Sequence, residues 1–133
     1  MPVTLAAEQG VKCFTMPADG DKRDYQFHIA CITQDDYTVT IAVVADSATV
    51  PPIGVIYDKP IAKWQPCLVA YEGVCRVMAG GDIVAGDAIT CDGDAHGIPT
   101  TTAGDKVVGR ALSAAVSGQI FFMLLGMEMY EAS

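Results

Sequence analysis

Apolar and polar positions alternate in short bursts along this chain, and no segment keeps a 3.6-residue period. Residues 25–33 (YQFHIACIT) and 37–45 (YTVTIAVVA) alternate as strands do. With Gln34-Asp35-Asp36 between them, they predict an antiparallel hairpin. Residues 46–52 end in Pro51-Pro52 and read as loop, because paired prolines cannot serve a central strand. Residues 53–57 form the next expected strand, closed by Asp58-Lys59-Pro60. A turn over 62–66 follows. Residues 67–71 and 74–78 are then expected to pair around Glu72-Gly73.

The stretch 79–112 organises the rest. Its β-branched positions fall in residues 83–90 and 106–112, with six glycines set where the backbone must bend. Gly86-Asp87 reads as a tight corner feeding a strand. Residues 113–118 read as a small-residue loop or short helical turn, 119–125 as a strong final strand, and 126–133 as a short polar tail. At the other end, residues 11–16 read as a short strand inside an otherwise loosely patterned arm, 1–24. The expected division is an arm (1–24), one β-rich domain (25–127) and a tail (128–133).

An echo links the two halves. Ile53-Gly54-Val55-Ile56 leads through a turn to Cys67-Leu68-Val69-Ala70. Val108-Gly109-Arg110-Ala111-Leu112 leads through Ser117-Gly118 to Ile120-Phe121-Phe122-Met123. Two similar halves about one core, or chance, both account for a match this short. Many short strands with Gly-rich turns predict an all-β sandwich or small barrel.

Composition sharpens this. A chain of 133 residues is one domain by default and buries roughly 68% of its unfolded surface. Hydrophobic residues make up 51%, high for a small monomer, yet the longest apolar run, 120–125, is far short of the ~20 residues of a membrane helix. The N-terminal residues do not read as a signal peptide. The apolar surplus therefore implies burial between identical subunits. The net charge is −8, and no cationic cluster exceeds Lys22-Arg23, which argues against nucleic-acid binding. Five cysteines without a Cys-x-x-Cys imply thiols kept reduced as small core side chains.

Candidate chemistry is sparse. Cys91, Asp92, Asp94 and His96 offer a thiol, two carboxylates and an imidazole within six residues, but lack the spaced ligand pairs of a zinc site. A solvated Asp-Gly hairpin turn is the plainer account, and no metal or cofactor is expected. His28 reads as an outward-facing or internally satisfied histidine rather than a catalytic base. Asp35-Asp36 reads as solvated charge at a hairpin tip. No nucleophile elbow or phosphate loop occurs, so no enzyme activity is expected. Trp64, the only tryptophan, reads equally as an interface anchor or as a cap on the core.

Gly73-Val74-Cys75-Arg76-Val77, the run from Gly80 to Ile89, and Val108-Gly109-Arg110-Ala111-Leu112-Ser113-Ala114-Ala115 together resemble the small capsid decoration, or cement, proteins of tailed bacteriophages. The resemblance covers about residues 30–126. It implies a compact β-clip or β-tulip domain forming a homotrimer on local threefold axes of an HK97-type shell. It places the protein on the outer surface of the expanded head, stabilising it against packaged DNA, with the major capsid protein as partner and synthesis in the host cytoplasm. It also implies that the arm reaches neighbouring subunits, as in lambda-type decoration proteins. Trp64, Phe121, Phe122, Val11 and Phe14 are the candidate capsid or subunit contacts, with Leu124 sharing the division between core and contact. The alternatives are a sugar- or ligand-binding module of SAF type, which shares the Gly-Asp corner, and another virion subunit such as a tail component or spike base.

Overall fold

The structure is a computed structural model describing residues 10–18, 20–32, 39–41 and 52–131, with side chains described at all of these except 32, 39–41 and 127–131. Nine strands lie among the described residues, with no helix: β1 (Lys12–Pro17), β2 (Ile29–Ile32), β3 (Val39–Ile41), β4 (Gly54–Ile56), β5 (Pro66–Met78), β6 (Ala88–Cys91), β7 (Gly97–Pro99), β8 (Lys106–Ala111) and β9 (Ile120–Glu131). All named pairings are antiparallel, in the order β3-β2-β4-β5-β9-β8-β6-β7, with β1 also on β5. The second half curls back on itself: Ala79, just beyond β5, bridges Gly97 at the start of β7, and Gly80 N–H donates to the Gly97 carbonyl at 2.9 Å. The result is a nearly closed all-β barrel, which removes most exposed sheet edges.

The 13-residue strand β5 joins the halves. Its first part pairs with β1 and β4, its second with β9. A turn was expected at Glu72-Gly73, but the chain runs straight through. Gly73 does take a positive φ of 106°. It sits beneath the incoming N-terminal segment, where an added Cβ would collide with the Gly10 carbonyl and Val11 Cα. The glycine thus serves a backbone crossing, and not a chain reversal.

Cys67 and Val69 of β5 pack with Ala18, Ala30, Ile56 and Ala95 in one cluster. Cys75 and Val77 pack with Ile89, Val108, Phe121, Met123 and Leu125 inside the barrel. In β9, Phe121, Met123 and Leu125 are buried while Ile120 and Leu124 are exposed, the period-two alternation of a half-covered sheet.

Three other expectations change. Residues 25–28 alternate like a strand but form a turn, with strand only from Ile29. The expected tail continues as β9 to Glu131, which pairs with Lys106. Part of the expected arm belongs to the sheet: the short strand expected at 11–16 is present as Lys12–Pro17, and it pairs with β5. The β2–β3 pairing of the expected first hairpin is present; its tip at Asp35-Asp36 lies outside the described residues.

The echo of the two halves has a structural counterpart. Each glycine precedes the same arrangement, with β4 antiparallel to β5 and β8 antiparallel to β9. A Cβ on Gly54 would strike the Ala70 carbonyl oxygen, and one on Gly109 the Leu124 carbonyl oxygen. Both glycines let a neighbouring strand's backbone approach. Gly54→Ala and Gly109→Ala are each expected to destabilise by about 1–3 kcal/mol through overpacking. Gly20→Ala, in open space, should stay within about 0.5 kcal/mol. Urea midpoints check all three, and equal midpoints would contradict the close approach.

Candidate functional site

The barrel presents a broad apolar face. Cross-strand register places side chains in rows across β8, β9 and β5. One row holds Arg110, Leu124 and Val74; the next holds Phe122 and Arg76; Ile120 pairs with Met78 beyond them. Leu112 extends the middle row, its N–H donating to the Phe122 carbonyl at 2.7 Å. Leu112, Ile120 and Leu124 are exposed, and Val116 stands exposed in the adjoining turn. Arg76 lies 5.7 Å from the Phe27 ring, and Arg110 donates to the Gly86 carbonyl at 2.9 Å. The arginines are thereby oriented at the margin of an oily patch.

A second feature is the loop 58–66. Ile61 and Trp64 project into solvent, Trp64 58% exposed. The loop is tied to residues 18–22 by three backbone bonds: Ala18 N–H to Gln65, Trp64 N–H to Ala18 and Lys22 N–H to Pro60, each 2.8 Å. The Gln65 side-chain oxygen accepts from Ile61 N–H at 2.7 Å and Ala62 N–H at 3.2 Å. Next to these residues, side-chain hydrogen bonds from Arg23 hold the Asp21 carboxyl down to about 2.

The third feature is polar. His28 is buried, its ring centroid 4.7 Å from that of His96. Its Nδ1 lies 3.2 Å from the Gln26 carbonyl. A carbonyl only accepts, so this nitrogen carries the proton. His96 Nδ1 lies 3.6 Å from an Asp92 carboxylate oxygen. Ligand atoms of Asp92, Asp94 and His96 lie within 4.8 Å of one another. Of the four expected groups these three come together, while Cys91 is buried and its thiol donates to the Asp92 carbonyl at 3.2 Å. Asp92 Oδ1 accepts from the backbone N–H groups of Asp94 and His96, at 2.8 and 3.0 Å, holding the β6–β7 turn.

Burial pushes the His28 imidazole below its ordinary pKa, with the His96 ring adding to this and the Gln26 and Tyr25 backbone and Asp92 opposing it. The unfolded chain titrates this group near about 6.5. Above that pH both states are neutral and stability is unaffected. Below it the unfolded state binds more protons, so stability falls with pH until the folded state also protonates, by at most about 1.4 kcal/mol per pH unit. Unfolding midpoints between pH 7.5 and 5 should decline in wild type and flatten in His28→Gln; an identical slope in both would contradict this assignment.

The remaining expected contacts divide clearly. Phe121 is fully buried in the barrel core and offers nothing to a partner's surface. Phe122 is half-buried on the apolar face, and Leu124 is exposed there. Val11 is half-buried against the barrel cluster. Phe14 packs on the other cluster, its ring 5.7 Å from Tyr71. Trp64 is exposed and does not cap the core. Sequence reasoning missed Ile61, Leu112, Val116 and Ile120 as surface residues, because in a strand-rich apolar chain they look like any core position. It also missed the His28–His96 contact, whose members only the folded chain brings together.

In structure the chain is similar to the head fiber gp8.5 N base in bacteriophage phi29, with a TM-score of 0.65 and 24% identity over 91% of this chain and 98% of that one. At this identity the likeness concerns the fold. Comparison with curated protein sequences gives no match. The family model described as phage cement protein matches residues 23–125. That match takes in most of the barrel, β2 through the buried core of β9, and on it the chain belongs to the phage cement protein family.

Proposed function

We propose that this protein decorates the outer surface of an expanded HK97-type head, as a homotrimer at local threefold sites, and stabilises the shell against the pressure of packaged DNA. Family membership makes it a structural component of the phage head, associated with the capsid. The observation that carries the finer reading is the apolar face across β8, β9 and β5, presented by a nearly closed barrel of an acidic chain. Such a face suits contact between copies, where interfaces are more apolar than transient ones. The acidic balance suits a position outside the packed polyanion. The protein is made in the host cytoplasm and joins the shell there.

Its action is binding, with no bond made or broken. A molecule that binds the expanded shell and not its precursor stabilises the expanded state. At a hundred times the dissociation constant each site contributes about 2.7 kcal/mol. A trimer touching several subunits gains further from effective concentration. Mixing the protein with expanded and unexpanded DNA-free shells, then sedimenting, tests this reading. Co-sedimentation with expanded shells alone is expected, and binding to neither would contradict it.

A further inference from the structure

Three non-glycine residues among those described hold a positive φ: Phe27, Trp64 and Ala95. For residues with a side chain this backbone region is costly, and it persists where surrounding structure enforces it. Ala95 is wholly buried, and Phe27 packs edge-on against Tyr57 at 5.3 Å. Both have interior contacts that repay the conformation. Trp64 has φ 76° and its side chain faces solvent, with Lys63 Nζ 5.2 Å from its ring centroid. The fold therefore spends three backbone bonds and the Gln65 side chain to hold the largest apolar side chain of the molecule out in water, beside Ile61 at 55% exposure.

We infer that the loop 58–66 is a preformed docking knob, whose Trp64 and Ile61 enter an apolar pocket with an acidic rim on a head-shell subunit. This rests on the proposed function and names the contact it uses. The charge argument is local: the chain carries twice as many acids as bases, yet exposed Lys59 and Lys63 flank the knob. The acid of this loop, Asp58, accepts a bond from Leu68 N–H at 3.0 Å. Two projecting side chains are too few for an interface between copies, which needs about 800 Å² from each partner. They suit a contact repeated over a lattice, where linked sites multiply a modest affinity. A tryptophan whose backbone is already fixed in place loses less freedom on docking than one on an unfixed loop.

Trp64→Gly separates this role from a structural one, because glycine accepts the left-handed backbone without strain. The variant should keep or raise the thermal midpoint while its affinity for expanded, DNA-free heads drops by about thirtyfold, the ratio matching a hot-spot loss of about 2 kcal/mol. Lys59→Glu combined with Lys63→Glu should also weaken binding. Wild-type affinity in Trp64→Gly would overturn the inference. So would a lowered midpoint, which marks the ring as a structural prop, or a changed oligomeric mass by light scattering, which places it between copies. Undiminished binding by the lysine double variant would overturn the acidic rim. Failure of the wild-type protein itself to bind heads would instead count against the proposed function.

Discussion

Replacing Phe121 with alanine is expected to destabilise the fold by about 3–5 kcal/mol, a large share of the about 5–15 kcal/mol typical of a whole domain. The ring is fully buried and sits where β5, β7 and β9 meet. Phe121 pairs with Val77 across the sheet, and its ring tip fills the space above Gly97, where a Cβ would lie 3.0 Å from Cζ. Gly97 in turn bridges Ala79 to close the barrel. Removing the ring leaves a cavity at the closure itself, where paired backbones on both sides restrict collapse. The urea midpoint should fall by roughly 2 M at an ordinary slope for a small domain. A loss under about 1 kcal/mol would show that the closure is held elsewhere.

The second large effect concerns assembly. Ile120 and Leu124 are 38% and 49% exposed, so replacing both with aspartate removes little core. Buried between copies, however, two unpaired carboxylates per chain carry a heavy desolvation cost. Wild type is expected to run as a trimer by light scattering and Ile120→Asp/Leu124→Asp as a monomer, with β-rich circular dichroism retained. Equal masses for the two proteins would contradict assembly through this face. Leu112→Asp, in the neighbouring row, should shift the same equilibrium in the same direction.

The legible parts of this fold were those decided locally. Apolar, β-branched runs set between turn residues marked β4, β8 and the start of β9. The Gly86-Asp87 corner is present too, with the Asp87 carboxylate accepting the Val84 N–H at 2.9 Å. The parts that were not legible depend on partners distant in sequence. Residues 25–28 alternate as a strand should, but Phe27 takes φ 68°, donates to Ile56 and accepts from Met78, which bends the segment into the barrel wall. Glu72-Gly73 carries turn chemistry, yet the glycine answers to the segment crossing above it. The residues after Gly126 look polar and terminal, but β8 offers an edge for them to pair with. At the surface, Trp64 could be singled out by type and its setting among prolines. Its exposure and positive φ go with the two backbone bonds that tie Trp64 and Gln65 to Ala18, a partner distant in sequence that no local pattern encodes.

The central claim is that this barrel stabilises the expanded head by binding it. Full heads assembled without the protein should release their DNA at a lower temperature than wild-type heads, and adding the purified chain back should restore the wild-type release temperature. The same release temperature with and without the protein would contradict the account.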